Sequence, residues 1–327
     1  MQRSYNNSLR AARQLHAVLL AALAVSLIVL GVQILHRRSA PQAAAAPVAV
    51  PVELAVDGEA EIVPVRTRRP YCYTVLVSGV DDAGGGCDTN LLIRLDVPGG
   101  TVDAVSLPRD TLLHTQRHSN KLNFAYASGG TERLRADVEN LLGVPVDSTV
   151  TVNLRGFVTL IDRIGGVDFD VPVDMDYDDP AQNLHIHYEK GMQHLSGQQA
   201  MEVVRWRKNN AGGGYADADI GRIATQQAFL KAAARQALRN VPALAQTLSS
   251  CVKTDLTAAN LAWMAGEAAK IGTEGLRFHT LPGDGAGWYR GESVFVLDPD
   301  AALTLVNEAL NPYDQPIAAE ELDILVP

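Results

Sequence analysis

The sequence predicts an α/β protein preceded by one N-terminal transmembrane helix, and three observations support this. Apolar runs typical of buried strands alternate with amphipathic helical stretches, which predicts a sheet covered by helices. Residues 15–35 form an almost unbroken apolar run, and its length of roughly 20 residues matches a bilayer span. The chain has 327 residues and only three cysteines, so its core is large enough to need no disulfide framework.

The charges beside the apolar run predict its orientation. Residues 1–14 carry three arginines and no acid, whereas only Arg37 and Arg38 closely follow the run. Because positive charge is enriched on the cytoplasmic side, residues 1–14 are predicted to be cytoplasmic and the rest extracytoplasmic. The alternative is a cleaved signal peptide, for which Ser39-Ala40 would supply the small residues. Residues 36–70 are predicted to be an extracytoplasmic linker, rich in proline and alanine between 40 and 52.

Three strands are predicted first, at residues 71–80, 90–97 and 102–107, with Pro98-Gly99-Gly100 as a turn. Polar residues that sheet proteins use for chemistry stand at or beyond their ends, namely Asp81, Asp82, Asp88, Arg109 and Asp110. Further helices are predicted at residues 132–142, 157–164, 197–204, 220–238 and 258–271, and further strands at 149–153, 167–171 and 276–281.

Residues 205–230 concentrate cations in a chain whose net charge is −9. If Arg205 and Arg207 are extended, their side chains point to one face. Asp219 is a plausible N-cap for a helix that begins at Ile220. The acidic balance of the whole chain argues against a nucleic-acid-binding surface, so an anionic ligand must meet a local basic pocket.

Along one stripe of the predicted helix after Ile220, polar residues are followed by apolar ones. Arg222 and Gln226 are four residues apart, and the stripe continues into Phe229 and Ala233. This pattern suits a ligand with a phosphate head and an apolar tail. The alternative is a solvated helix start with ordinary surface salt bridges.

Several groups of residues are candidate metal ligands, and each also has an ordinary structural explanation. Asp81 and Asp88 flank a glycine-rich turn and suit Mg²⁺, although the same residues are common in plain turns. His185 and His187 would share a strand face, but no third ligand is recognisable nearby, which favours two surface histidines. Asp174 to Asp179 is predicted to be a solvated acidic turn rather than a calcium site. The spacing of Cys72, Cys87 and Cys251 excludes a zinc-binding pattern and leaves one disulfide open.

Ordered motifs between Tyr71 and about Ala234 resemble those of the LytR-CpsA-Psr family of extracytoplasmic cell-wall enzymes. The first motifs are Ser78-Gly79-Val80-Asp81, Cys87-Asp88-Thr89, Ser106-Leu107-Pro108-Arg109-Asp110, Lys121-Leu122-Asn123 and Gly129-Gly130. The later ones are Asp162-Arg163-Ile164-Gly165-Gly166, Leu195-Ser196-Gly197, Arg205-Trp206-Arg207 and Asp219-Ile220-Gly221-Arg222 with Gln226. This resemblance makes residues 71–250 the family-like catalytic domain. Residues 251–327 are predicted to be a C-terminal extension that lies outside the resemblance and packs on the same domain.

The resemblance implies an α/β/α sandwich with a central mixed sheet that holds a polyprenyl-pyrophosphate lipid. It implies transfer of an anionic glycopolymer from that carrier to peptidoglycan. Asp81 and Asp88 would bind Mg²⁺, or Mn²⁺ in its place. The residues implied to clamp the pyrophosphate or to contact the substrate are Arg109, Arg205, Arg207, Arg222, Lys121 and Asn123. Gln226 and Asp219 would support these substrate-contacting side chains, and Asp219 or Asp110 would accept a proton.

One departure from the family pattern is visible. Many members carry arginines shortly after the first aspartate and in an Arg-Ser-Asp-Thr motif, where this chain has Ala83 or Gly84 and Gly86. Either Lys121, Arg207 or Lys208 compensates, or the donor differs, or activity is reduced. Two alternative functions follow: a pyrophosphohydrolase acting on lipid-linked sugars, and a non-catalytic envelope regulator that binds polyprenyl phosphate.

Overall fold

The computed structural model describes residues 39–43, 66–80, 86–180, 184–215, 219–239 and 251–327, without the side chains at 219, 220, 222 and 223. The predicted transmembrane helix at 15–35 and the predicted metal ligand Asp81 lie outside these residues. In the part described, no helix has both the length and the apolar character needed to cross a bilayer. The chain divides into two units, 1–41 and 42–327, and the fold below belongs to the second.

The strands of this unit, in chain order, are β1 (Cys72–Val80), β2 (Cys87–Asp96), β3 (Thr101–Leu107), β4 (Ser148–Asn153), β5 (Val167–Val171), β6 (Met175–Asp179), β7 (Leu184–Tyr188), β8 (Gly191–Leu195), β9 (Val252–Thr254), β10 (Leu276–Thr280), β11 (Gly283–Tyr289) and β12 (Glu292–Leu297). The helices are α1 (Leu122–Leu142), α2 (Leu154–Arg163), α3 (Gly197–Arg205), α4 (Asp219–Arg239), α5 (Ala258–Ile271) and α6 (Pro299–Leu305). A π-helix (Val306–Leu310) continues α6, and a 3₁₀ turn (Ala319–Glu321) lies near the end of the chain.

Six strands form the central sheet in the order β10-β3-β2-β1-β4-β9. The pairs β1–β4 and β3–β10 are parallel, and the other three pairs are antiparallel. This confirms the expected mixed sheet. Both edge strands come from the C-terminal part of the chain, so residues after 251 complete the sheet.

Successive side chains of the strands point to opposite faces of the sheet. Leu76 and Leu92 are buried in one core cluster with residues of α1 and of the π-helix. Their neighbours Val77 and Leu91 face the other side, where α2 and α4 contribute Phe157 and other apolar side chains to a cavity. Helices therefore cover both faces, as an α/β/α arrangement requires.

Helix α1 begins earlier than the sequence predicts. The prediction placed its start at 132, after a glycine pair, whereas the helical segment begins at Leu122. Gly129 and Gly130 have non-helical backbone angles inside it, with φ of −167° and 66°. The pair therefore divides two helical pieces, because glycine adopts positive φ without a Cβ clash. The second piece follows the pair as predicted, and the first piece was not predicted.

The acidic run at residues 174–179 is a strand from Met175 onward, and the predicted turn is wrong. In β6 the exposed Asp176 and Asp178 alternate with the buried Met175 and half-buried Tyr177. Burial of alternate residues on the second core cluster stabilises the extended backbone. β6 pairs with β7 as an antiparallel hairpin, and this brings Asp178 close to the two histidines for which the sequence offered no third ligand.

Candidate active site: an apolar cavity with a cationic mouth

A cavity of about 630 Å³ lies between the sheet and the helices α2, α3 and α4. Most of its lining side chains are apolar and come from strands on the floor and from helices above, among them Val77, Leu91, Phe157, Met201, Phe229 and Leu230. Ligand cavities of proteins are usually of this size and apolar character, with a few polar groups that orient the ligand.

The polar side chains of the lining include those of Asp88, Arg109, Arg205, Arg207, Lys208 and Gln226. Among the described residues that line the cavity, four are therefore cationic and one is a carboxylate. An excess of positive charge beside an apolar interior favours a ligand that carries negative charge at one end and a hydrocarbon chain at the other.

Arg109 is fixed by carboxylates at the sheet edge. It follows β3, its Nη1 donates to Asp88 Oδ1 at 2.7 Å, and its Nε donates to Asp110 Oδ2 at 3.4 Å. Burial opposes the charge of the guanidinium, but the hydrogen bond to Asp88 and the charges of Asp110 and Asp88 outweigh it and raise the pKa of Arg109. Arg109 is thus held fully charged at the mouth.

Lys121 and Asn123 lie behind Arg109 and are not among the side chains that line the cavity in the described part of the chain. Lys121 Nζ is 3.3 Å from Asp110 Oδ1, and the backbone N–H of Asn123 donates to the Arg109 carbonyl at 2.9 Å. Both residues hold the loop that carries Arg109. Asp110 is held between two cations and likewise does not line the cavity.

Arg205 and Arg207 both reach the cavity, but the extended segment predicted for them is wrong at its start. Helix α3 begins with a capping box at Ser196 and has Arg205 as its last residue, and the chain turns to an extended conformation at Trp206. Trp206 is 1% exposed, and its indole N–H donates to Asn209 Oδ1 at 3.1 Å. This packed ring anchors the backbone between the two arginines.

Helix α4 brings Gln226 to the mouth. Its amide Nε2 donates to the Val204 carbonyl at 3.0 Å, which joins α4 to the end of α3. A Cβ added at Gly221 would lie 2.4 Å from Tyr215 Cβ, so only glycine allows the first turn of α4 to pack there. Asp219 and Arg222 lie in that first turn, and the structure does not describe their side chains.

The position of Asp88 fits the role of a magnesium ligand. Its side chain is 61% exposed and lies at the cavity mouth. Mg²⁺ keeps several waters and is bound through one or two carboxylates with substrate phosphates, so a partly hydrated carboxylate beside a phosphate site is suitable. The second predicted ligand, Asp81, is outside the described residues.

The structure gives a physical reason for one missing family arginine. A Cβ at Gly86 would lie 2.9 Å from the carbonyl oxygen of Asn123 and 3.3 Å from its Cβ. A larger side chain at residue 86 therefore requires the start of α1 to move. Lys208, one of the residues suggested to compensate, does line the cavity.

The three cysteines are free thiols, which resolves the open question of a disulfide. Cys72 and Cys87 are fully buried. Burial disfavours the thiolate and raises the pKa of Cys72 to about 11 and that of Cys87 to about 12. Neither thiol is a nucleophile at neutral pH.

One part of the cavity lining was not predicted from the sequence. Tyr177 and Leu184, on the hairpin β6–β7, belong to this lining. Their apolar positions alternate with Asp and His, and this alternation was available in the sequence as a strand pattern.

The fold and the site together define a mixed α/β protein whose cavity suits an amphiphilic anion. The model of the LytR_cpsA_psr family matches residues 49–310. The chain therefore belongs to the LytR-CpsA-Psr family. The match extends well past Cys251, where the motif-based resemblance ended, which agrees with the edge strands that the C-terminal residues supply.

The chain is similar to a Bacillus subtilis (strain 168) protein named polyisoprenyl-teichoic acid–peptidoglycan teichoic acid transferase TagV, with 29% identity over 257 residues, 74% of this chain. The Bacillus anthracis protein named polyisoprenyl-teichoic acid–peptidoglycan teichoic acid transferase TagU is 34% identical over 197 residues, 59% of this chain. This chain spans 63% of the length of each relative.

Solved structures agree on the fold. The crystal structure of B. subtilis TagV has a TM-score of 0.61 at 24% identity and covers 79% of this chain and 100% of its own. The crystal structure of B. subtilis TagU has a TM-score of 0.53 at 26% identity, with 76% and 99% covered.

Proposed function

We propose that this protein is a membrane-anchored phosphotransferase. It moves an anionic glycopolymer, of the teichoic acid or capsular polysaccharide type, from a polyprenyl-pyrophosphate carrier to peptidoglycan. The observation that carries the proposal is the apolar cavity that opens at a mouth lined by four cationic side chains. The names of the relatives, polyisoprenyl-teichoic acid–peptidoglycan teichoic acid transferases, support the same substrate class.

The two parts of the cavity match the two parts of such a donor. Apolar side chains of the sheet and helices would bury the polyprenyl tail, since removal of hydrocarbon from water is favourable by about 25 cal/mol per Å². The pyrophosphate would lie at the mouth, where Arg109, Arg205 and Arg207 offer planar donor pairs that fit phosphate oxygens. Arg222, in the first turn of α4, is proposed to complete this clamp.

The proposed reaction exchanges one phosphorus–oxygen bond for another. A peptidoglycan hydroxyl oxygen attacks the phosphorus next to the sugar, the bond to the bridging oxygen breaks, and polyprenyl phosphate leaves with that bond's electron pair. The hydroxyl proton passes to a carboxylate, for which Asp219 is the candidate. Phosphoryl transfer is catalysed chiefly by positioning and by stabilisation of charge, which is what the arginines provide.

Asp88, with Asp81, would hold Mg²⁺ next to the pyrophosphate, and Mn²⁺ is an alternative ion for the same oxygen ligands. A bound ion supplies charge neutralisation to phosphate oxygens.

Residues 15–35 are proposed to be the membrane anchor, with residues 1–14 cytoplasmic and the α/β domain extracytoplasmic. The linker at 36–70 would hold the domain beside the membrane that contains the polyprenyl carrier. The support for this arrangement is the apolar run and its charged flanks.

The test is a transfer assay with the full-length chain in detergent, Mg²⁺, a radiolabelled polyprenyl-pyrophosphoryl glycan and peptidoglycan oligomers. Arg205→Ala is compared with Arg163→Ala, because each arginine is the last residue of its helix and only Arg205 lines the cavity. Loss of a donor that stabilises the transition state lowers the rate by about 10²–10³-fold. We expect that loss for Arg205→Ala and wild-type transfer for Arg163→Ala.

The other outcomes separate the alternatives. Release of labelled glycan phosphate without peptidoglycan would show a pyrophosphohydrolase. Tight binding of the lipid with no turnover in the wild type would show a carrier or regulator. Equal activity of both variants would refute the arginine clamp.

A further inference from the structure

The outer face of the hairpin β6–β7 carries four potential metal ligands in two directly opposed pairs. Asp176 is opposite His187, and Asp178 is opposite His185. All four side chains are about half exposed or more, so the face is open to solvent. These four side chains are not among those that line the cavity and have no part in the proposed reaction.

Three of the potential ligand atoms lie close together. One ligand atom each from Asp178, His185 and His187 lies within 4.8 Å of the others. His185 Nδ1 is 2.5 Å and His187 Nε2 is 3.4 Å from Asp178 Oδ1. Atoms 3.4 Å apart are at near-tetrahedral separation around an ion that is about 2.0–2.1 Å from each.

We propose that Asp178, His185 and His187 bind a divalent transition-metal ion, with Zn²⁺ as the best fit. Imidazole nitrogen with carboxylate oxygen is a common zinc ligand set, and three protein ligands leave the fourth position to water. The exposed side chains have room to rotate by the fraction of an ångström that separates their hydrogen-bonded arrangement from coordination.

Asp176 orients one of the ligands. Its Oδ1 lies 2.8 Å from His187 Nδ1. A carboxylate can only accept, so Nδ1 donates and the lone pair of a neutral ring lies on Nε2, which faces Asp178. Metal-binding histidines are commonly held by a carboxylate on the other ring nitrogen in this way.

A second histidine–aspartate pair in the same protein is the natural contrast. His194 and Asp168 are opposed on β5 and β8, with Nδ1 2.7 Å from Oδ1. Among the described residues, the group of three or more possible ligands is the one around Asp178, and this second pair is not part of it. His194 is therefore a matched control, exposed and paired in the same manner.

The ion would join the two strands of a cavity wall. Tyr177 and Leu184, on the inner face of the same hairpin, line the apolar cavity. An ion held by Asp178 on β6 and by both histidines on β7 links the strands across the ladder. We therefore expect zinc to protect the backbone amides of this hairpin from hydrogen exchange.

The experiment uses the full-length chain in detergent, without a polyhistidine tag and freed of metal with a chelator. Zn²⁺ alone is titrated by calorimetry, and Co²⁺ is titrated in parallel because its absorption reports tetrahedral coordination. We expect one Zn²⁺ per chain in the wild type and in His194→Ala. We expect the site to be lost in His185→Ala and in Asp178→Asn, and its affinity to fall about 10–100-fold in Asp176→Asn.

Three results would overturn the proposal. The first is a wild-type chain that takes up no stoichiometric Zn²⁺. The second is a His185→Ala or Asp178→Asn chain that binds as the wild type does. The third is a His194→Ala chain that loses as much affinity as those two variants. Circular dichroism of each variant shows whether it is folded, and since the substituted side chains are exposed we expect unchanged spectra.

Discussion

Arg94 and Asp103 form a buried ion pair across the middle of the sheet, and its removal gives a test of how the sheet is held together. They are opposed in the β2–β3 register, Nη2 is 2.8 Å from Oδ2, and the two side chains are 7% and 2% exposed. Arg94 Nη1 also donates to the Asn311 carbonyl at 3.2 Å, and Asp103 Oδ1 accepts from His279 at 3.1 Å. The pair thus connects two central strands to β10 and to the C-terminal segment.

Asp103→Leu leaves a buried guanidinium without its counter-charge. Breaking a buried pair in this way costs about 3–5 kcal/mol. Arg94 keeps its bond to the Asn311 carbonyl, and His279 is partly exposed and gains water, so we expect the lower end, about 3 kcal/mol. At about 2–4 °C per kcal/mol for a domain of this size, the melting temperature falls by about 6–12 °C.

The assay is urea unfolding of the full-length chain followed by tryptophan fluorescence. The control is the double variant Arg94→Met with Asp103→Leu, which removes both charges; replacement of a buried pair by apolar residues is often neutral or stabilising by about 1–4 kcal/mol. A single variant that loses under about 1 kcal/mol, or a double variant that loses as much as the single one, would refute the reasoning.

The remaining predictions concern close packing and buried thiols. Gly197→Ala places a Cβ 2.1 Å from the Val158 carbonyl oxygen and should destabilise the domain by about 1–3 kcal/mol or more. Gly266 lies inside helix α5, and a Cβ added there meets nothing within 4 Å, so Gly266→Ala should stabilise the domain by about 0.5–1 kcal/mol. Urea midpoints measure both, and equal midpoints would contradict the packing argument. Cys72 and Cys87, buried and with raised pKa values, should resist a disulfide reagent at pH 8 until urea unfolds the chain. Rapid labelling of either in the native state would contradict their burial.

The sequence pattern predicted those helices and strands whose bounds are determined by residues close together in the chain. Strand β5 and helix α5 have the bounds expected from sequence, because apolar alternation at 167–171 and the capping residue Thr257 act within a few residues. The edge strand β10 was also predicted, whereas the edge strand β9 was not. β9 has three residues and pairs with β4, which is about 100 residues earlier, so its place in the sheet follows from long-range pairing.

The sequence predicted cationic residues that line the cavity mouth, but not how the backbone positions them. Arg205 and Arg207 were expected to share a space because strand residues alternate, and they do line one cavity. The actual cause is different: α3 ends at Arg205, and buried Trp206 pins the chain as it leaves the helix. Both arginines therefore line the cavity because a buried aromatic ring anchors the backbone between them, and not because of strand periodicity.

The position of Asp178, the third ligand of the proposed zinc site, shows how packing in the core determines which residues meet on the surface. The register of β6 on β7 is set on the inner face, where Met175 and Ile186 are 2% and 0% exposed. A slip by one residue would turn both apolar side chains to solvent, so that register is strongly preferred. The same register places Asp178 opposite His185 on the outer face. Burial of the apolar residues on the inner face thus aligns the carboxylate with the imidazoles, and the proposed ion would add to a geometry that the hydrophobic core already imposes.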